Sequence, residues 1–472
     1  MSFVIFVNGL AFLFFAILMI LDAAIFPATG SVFLFSGMLC GIAGGMTAVA
    51  GASDWSGFRR LHAFLLTSTT WVSAALAGAM PLWLWGLTPV DAVFESMSGI
   101  TTTGSTVMTG LDTTPKGVLF WRALLQGIGG VGFIVTGMAL LPMLRVGGMQ
   151  LFRTESSDQA DKELKSASRF ALATLIVYLG LILICAVIYA LGGMTAFDAI
   201  THAMTTLATG GYSNYDASFG HFESPFLQWS ATVFMVLGAL PFVWYIRVYT
   251  RRSLRSEQIG MMMASLILSI LAISLWLALF GDQNFFVAMR LVAFNVVSVV
   301  TTTGYATTDY TAWGSLAVAI FFMLTAVGGC TGSTGGGIKA MRWIVMARVL
   351  KAEIARIYQP HIVKVIRYEG RVVEQDVLSG VISFVTIYFA TFVAMSFVLN
   401  LVGVDFTSAV SGTLQALGNV GPGVGPIIGP AGNFSTLSDP AKLILSLGMY
   451  LGRLEILTVF IVFMPGYWRS LH

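Results

Sequence analysis

The sequence predicts an all-α integral membrane protein. Four span–re-entrant loop–span repeats stand in pseudo-fourfold arrangement around a central pore, preceded by an extra N-terminal helix pair. Three observations carry this reading. Of 472 residues, 57% are hydrophobic and only 10% charged, whereas a water-soluble domain carries about 25% charged residues. Ten apolar stretches approach the roughly 20 residues that cross a bilayer. Four connections between them hold a short semi-apolar stretch that runs into small residues and Gly. The first observation excludes soluble enzymes, and a net charge of +3 gives no reason to expect nucleic-acid binding.

The stretches, in order, are 3–22, 31–52, 62–87, 117–144, 168–192, 226–249, 258–281, an interrupted 313–350, 377–402 and 440–466. The first has no Lys or Arg before it, so it reads as a retained span rather than a cleaved leader. Cys40, Cys185 and Cys330 form no CxxC pair and read as buried thiols. If the ten spans alternate, Arg59 and Arg60, the group Arg145 to Arg169, the group Arg247 to Arg255, the group Lys339 to Arg371 and Arg469 share one side. Lys116, Arg122, Arg290 and Lys442 fall on the other, and Arg453 lies inside the last span. The positive-inside rule then puts both termini in the cytoplasm. The domain boundaries expected are 1–60 for the helix pair and 61–167, 168–256, 257–375 and 376–472 for the repeats.

The four connections align on one Gly: Thr101-Thr102-Thr103-Gly104, Ala208-Thr209-Gly210-Gly211, Thr301-Thr302-Thr303-Gly304 and Gly418-Asn419-Val420-Gly421. Successive repeats of this pattern lie roughly a hundred residues apart. Asp91, Asp198 and Ser408 hold the same offset before the Gly and read as helix N-caps, while the third connection has Leu291 there. A capped stretch of about ten residues is about 15 Å long as a helix, half of a hydrocarbon core of about 30 Å. Irregular backbone at that depth survives only inside protein or along a watery path. Gly lets successive carbonyls point one way. Four converging strands can therefore offer rings of oxygens in place of the water shell of an alkali cation. Thr hydroxyls can add to them, and the negative helix C-termini aim at the same point.

These motifs resemble the Trk/Ktr/HKT superfamily of potassium transporters, and come nearest to its bacterial Trk-type potassium-translocating membrane subunit. The segments TTTGS, ATGGYSN, TTTGYATTDY and GNVGPGVG are similar to the four filter segments of that family. The two leading spans are similar to the extra helix pair of the Trk branch. The resemblance covers almost the whole chain. It implies potassium uptake, with rubidium also passing, across the bacterial inner membrane. It also implies a homodimer with one pore per protomer, and a cytosolic nucleotide-binding regulatory subunit beneath. Potassium is then substrate, and no cofactor is expected on this chain, nucleotide being confined to the regulatory partner. In the family, Ser at the first aligned position accompanies sodium transport, so Gly104 implies potassium. The residue after the Gly is Ser105, Tyr212, Tyr305 or Pro422, so the filter is asymmetric.

The eighth span is broken by VGGCTGSTGGGIK, residues 327–339. Gly328, Gly329, Gly332, Gly335, Gly336 and Gly337 crowd it, and each costs a helix about 1 kcal/mol relative to Ala. It lacks the GK[ST] of a phosphate loop. It reads either as an inert kink or as a movable intramembrane gate that ends at Lys339. The resemblance favours the gate. Arg453, within GMYLGRLEILT, sits where a charge is expensive. It reads as a cation barrier facing the pore, the role the resemblance implies, or as a structural pair with another helix. Glu455 is two residues on and would face away on a straight helix.

Weaker readings are these. Glu95 and His202 share an offset before their Gly and are candidates to pair or bind water behind the filter. Asp91, Asp198, Asp309 and Asp405 are either caps and turn residues or attractors of cations at the outer mouth. Residues 145–167 and 339–371 are candidate docking stretches for the partner, or plain inside-positive loops. No HExxH, GxSxG or paired-carboxylate motif supports an enzyme, and four outer loops of one polarity argue against an alternating-access carrier.

Overall fold

The structure, a computed structural model, describes residues 1–52, 60–139, 167–281 and 284–471. The predicted inner docking stretch 145–167 lies outside the described residues apart from its last position. Arg59, Arg145, Arg153, Lys162 and Lys165 lie outside them as well.

The fold is helical, as the composition requires. Helices α1 (Ser2–Ile25) and α2 (Gly30–Gly51) form a tight hairpin. A Cβ on Gly9 would lie 2.4 Å from the Ala48 nitrogen, and one on Gly51 2.3 Å from the Phe6 nitrogen. Small residues give close helix approach where lipid supplies no hydrophobic drive. The hairpin is tied to α3 (Arg60–Trp85) by Asn8, which donates to Thr69 Oγ1 at 2.9 Å and accepts from Ser73 Oγ at 2.7 Å.

The remaining helices follow in chain order. They are α4 (Pro89–Ile100), α5 (Lys116–Ala139), α6 (Ala167–Leu191), α7 (Ala196–Leu207), α8 (Pro225–Ala239) and α9 (Phe242–Arg251). Then come α10 (Glu257–Phe280), α11 (Phe285–Val300), α12 (Ser315–Thr325), α13 (Ala340–Tyr358) and α14 (Gln375–Leu401). The chain ends with α15 (Phe406–Gly418), α16 (Asp439–Arg453), α17 (Ile456–Phe463) and α18 (Pro465–Leu471). Among the described residues, six helices are long and apolar enough to cross a bilayer, and eight if each of two bent pairs counts as one span.

Those two bends correct the straight spans expected at 226–249 and 440–466. Helix α8 meets α9 at 87° and α16 meets α17 at 111°. The first has a plain cause: Pro241 has no N–H and ends the ladder. The freed carbonyls of Gly238 and Ala239 accept instead from Thr334 N at 3.3 Å and Cys330 N at 3.0 Å. The second break sits at Glu455, whose φ is +61°. A further departure from all-helix is a two-residue hairpin, β1 (Arg367–Tyr368) with β2 (Arg371–Val372). Its turn residues Glu369 and Gly370 both have positive φ, as a tight primed turn demands.

Packing is cyclic. Short helix α4 packs on α3 and on α16, α7 on α6 and α5, α11 on α10 and α8, and α15 on α14, α16 and α12. Each of α4, α7, α11 and α15 thus packs both on neighbours in its own stretch of chain and on a helix from another: α16, α5, α8 and α12 respectively. One apolar core joins α1 to α5 with α14 to α17, and a second joins α6 to α12.

Candidate functional site

The four short helices run 12, 12, 16 and 13 residues, longer than the ten expected. The extra length lies at their N-termini. The true caps are Thr88, Thr195 and Asp405, one turn before Asp91, Asp198 and Ser408, which donate their amides to those caps at 3.2, 3.1 and 3.0 Å. Asn284 caps the third short helix, accepting from Phe286 N at 3.0 Å. Asp91 also pairs with Lys442 at 2.6 Å, and Asp198 accepts from Asn214 at 2.8 Å and Tyr215 at 3.0 Å. Asp309 caps the turn at Thr311. These four aspartates are engaged in caps, turns and pairs.

All four helices end in one way. Thr103 N donates to Ser98 O, Gly210 N to Thr205 O, Thr303 N to Ser298 O and Val420 N to Gln415 O, at 2.8 to 3.0 Å. Thr102, Thr209, Thr302 and Asn419 donate one step inside that bond, to Gly99, Thr206, Val299 and Ala416. This is a Schellman termination, which needs a left-handed residue. Here that residue is never Gly: φ is +54°, +50°, +60° and +52° at Thr102, Thr209, Thr302 and Asn419. Non-glycine residues held so cost on the order of 1–3 kcal/mol each and persist only where surroundings fix them.

Two residues on, Gly104, Gly211, Gly304 and Gly421 again have positive φ, from +73° to +106°. A Cβ on Gly104 would lie 2.1 Å from Gly210 O. One on Gly211 would lie 1.9 Å from Thr303 O, one on Gly304 2.0 Å from Val420 O, and one on Gly421 2.9 Å from Thr103 O. Each aligned Gly therefore abuts the carbonyl one position before the Gly of the next segment, and the fourth returns to the first. The carbonyls of Thr103, Gly210, Thr303 and Val420 close a ring. Carbonyl oxygens gathered from four segments are ligands of the kind that can replace a cation's water shell.

Thr101 and Thr301 donate back to Met97 O and Val297 O at 2.6 and 2.7 Å, and each also meets its own Thr103 or Thr303 hydroxyl at 2.8 Å. Above the ring lies a cavity of about 220 Å³, lined by the four aligned glycines together with Ser105, Tyr212, Asp216 and Pro422.

Below the ring lies the 327–339 loop. Its ends are joined, with Val327 bridged to Ile338 and Gly328 N donating to Ile338 O at 3.1 Å. Gly336 N donates to Thr302 Oγ1 at 2.7 Å, and the Thr334 hydroxyl meets that of Thr209 at 3.2 Å. A Cβ on Gly336 would lie 2.3 Å from Gly418 O, and one on Gly335 3.2 Å from Thr301 O. Gly332 and Gly337 supply the positive φ of the turns, at +79° and +69°. Gly329 accepts from Ala340 N at 3.1 Å, and Lys339 Nζ donates to Gly335 O. Two of the four left-handed residues, Thr209 and Thr302, thus bond to the loop.

Arg453 reaches it too, donating to Thr334 O at 2.8 Å and to Gly129 O at 3.4 Å. The straight helix assumed between Arg453 and Glu455 is absent, because α16 ends at Arg453, yet Glu455 still finds its partner on another helix. Glu455 pairs with Arg342 at 2.6 Å, and Arg342 stacks 3.6 Å over the Phe384 ring.

Glu95 and His202 do not pair with each other. Glu95 pairs with Arg122 at 2.8 Å and accepts from Val107 N at 2.9 Å. The His202 ring contacts Asp198 O at 2.9 Å and Ser213 Oγ at 3.0 Å. Sequence reasoning missed the roles of Arg122, counted only as an outer charge, and of Glu455, weighed only against Arg453, and missed Gln126 altogether. The available signal was polarity within apolar helices. Among the described residues no group of three His, Cys, Asp or Glu could hold a metal ion.

Comparison with known proteins gives consistent findings. The family TrkH, described as cation transport protein, matches residues 29–269 and 278–469. The chain is 47% identical over 414 residues to the Trk system potassium uptake protein TrkI of Halomonas elongata, covering 86% of this chain and 84% of that protein. It is 34% identical over 419 residues to the Trk system potassium uptake protein TrkH of Escherichia coli, covering 86% of each. The crystal structure of the potassium transporter TrkH from Vibrio parahaemolyticus superposes with a TM-score of 0.91 at 31% identity, covering 99% of both chains.

Proposed function

The chain belongs to the TrkH family of membrane cation transporters, and on that premise we propose that it takes up potassium through a channel-like pore. The relatives named above are potassium uptake proteins, and the apolar helices suit a multi-pass bacterial membrane protein. The single observation that carries the reading is the closed relation of four glycines to four carbonyls at Thr103, Gly210, Thr303 and Val420. On this reading that ring is the potassium site and residues 101–104, 208–211, 301–304 and 418–421 form the filter. The loop 327–339 with Lys339 and Arg453 is the gate, lying where the C-termini of the short helices converge. Ten spans in four repeats follow, with boundaries at 61–167, 168–256, 257–375 and 376–472 after the pair 1–60. Both termini lie in the cytoplasm, the chain sits in the inner membrane as a homodimer, and a cytosolic nucleotide-binding subunit pulls on α13 to move the loop.

The test is cation flux into liposomes holding the purified chain, comparing potassium, rubidium, sodium and lithium. Potassium and rubidium flux well above sodium is expected, either from the chain alone or once the regulatory subunit is added. Equal sodium and potassium flux would overturn the selectivity assignment.

A further inference from the structure

The four ring oxygens are not equivalent. Gln126, on α5 and fully buried, donates from Nε2 to Gly210 O at 2.7 Å. Its Oε1 accepts from Tyr212 N at 3.0 Å. One amide therefore spans Gly211 and fixes both neighbours of the aligned glycine. The carbonyls of Thr103, Thr303 and Val420 have no such donor among the described residues.

A second observation agrees. The residue before the aligned Gly is Thr103, Gly210, Thr303 and Val420, so only the second segment has Gly there. A Cβ on Gly210 would lie 2.4 Å from Gln126 Cδ. Gln126 occupies the volume in which the other three segments carry a side chain. One turn back on α5, Arg122 donates to Ser213 O at 2.9 Å and lies 4.1 Å over the Tyr212 ring, while its Glu95 partner holds Thr106 and Val107 of the first segment. Residues i and i+4 share a helix face. Arg122 and Gln126 thus form one bracket along residues 210–213.

We propose that Gln126 is a positioning residue that sets ion preference, by muting the Gly210 carbonyl and holding it at fixed distance from the other three. A carbonyl already accepting a hydrogen bond offers a weaker field to a cation. Field strength of the coordinating dipoles is one determinant of potassium-over-sodium choice, and a stronger or tighter ring favours the smaller ion. Removing Gln126 frees the oxygen to offer its full field and releases the strand to close in on a smaller ion, and both effects favour sodium. This inference rests on the filter reading above.

The test uses Gln126→Met, of similar length without a donor, and Gln126→Asn, which keeps the amide but is one methylene short. Each is compared with the unaltered chain for potassium-to-sodium flux ratio in liposomes, with thermal unfolding as a control. The ratio is expected to fall about two- to twelvefold while potassium still passes, the equivalent of roughly 0.5–1.5 kcal/mol. An unchanged ratio in a folded variant overturns the role of Gln126 and leaves the filter reading intact. An unaltered chain with no potassium preference overturns both.

Discussion

Arg453 Nη1 donates to the carbonyl oxygen of Thr334 at 2.8 Å, which ties the break in the last span to the loop beneath the carbonyl ring. A charge-assisted bond of this kind is worth roughly 1.5–3 kcal/mol. With the loop as the closing element, Arg453→Gln removes that tether and a positive charge under the ring. Basal potassium flux without any regulatory partner is expected to rise about tenfold or more. Flux measured at equal protein incorporation checks this, and a flux equal to that of the unaltered chain would detach Arg453 from gating.

The Arg342–Glu455 pair predicts a stability effect instead. Both side chains are almost wholly buried and lie 2.6 Å apart. Removing one partner of a buried pair costs roughly 3–5 kcal/mol, because the other charge is stranded. Glu455→Gln should therefore lower the thermal midpoint in detergent sharply. Adding Arg342→Met to it should recover part of the loss, since the stranded charge is gone. A double variant less stable than Glu455→Gln alone contradicts this account.

A third prediction concerns the β1–β2 hairpin. Helix α10 has no side-chain cap of its own at Ser256. The Glu369 carboxylate supplies one from the turn between β1 and β2, accepting from Glu257 N at 2.7 Å and Ser256 Oγ at 3.1 Å. Losing a cap costs about 1 kcal/mol. Glu369→Ala should raise hydrogen exchange at the first turn of α10 about fivefold while leaving the rest of that helix unchanged. Uniform exchange across α10 in both chains would show that the contact does not cap it.

Much of this was legible in the sequence, for reasons that particular residues display. Gly104, Gly211, Gly304 and Gly421 could be aligned because positive φ beside a foreign carbonyl tolerates no Cβ, so the chain repeats Gly there. The break at 327–339 was legible because six glycines cannot continue a helix. The caps were read one turn late because Thr88 and Asp91, like Thr195 and Asp198, are both cap-forming types three residues apart, and only geometry says which accepts. Pro241 signalled the bend after α8, yet the hydropathy around it reads as one continuous span. Glu95 with Arg122 and Gln126 with Gly210 are separated by 27 and 84 residues, and no local pattern announces such partners.

The ring yields a graded prediction. Gly104, Gly211 and Gly304 would each place a Cβ 1.9 to 2.1 Å from a backbone oxygen of the next segment, whereas Gly421 would place one at 2.9 Å from Thr103 O. Below 3.0 Å something must shift, and backbone yields less readily than a flexible side chain. Substitution at the first three positions must therefore push a ring carbonyl outward by the better part of an ångström, while Gly421→Ala needs a small adjustment. Gly104→Ser, Gly211→Ala and Gly304→Ala should each lower the potassium-to-sodium flux ratio about tenfold or more, the equivalent of at least 1.4 kcal/mol between the two ions. Gly421→Ala should lower it by less than half as much on a logarithmic scale. All four also incur left-handed strain, of order 1 kcal/mol, so the difference between them isolates the contact with the neighbouring carbonyl. Flux ratios for the four variants, measured in one liposome preparation series, decide the matter. Equal losses at all four positions would mean that strain in each segment, and not the ring of contacts between segments, governs selectivity.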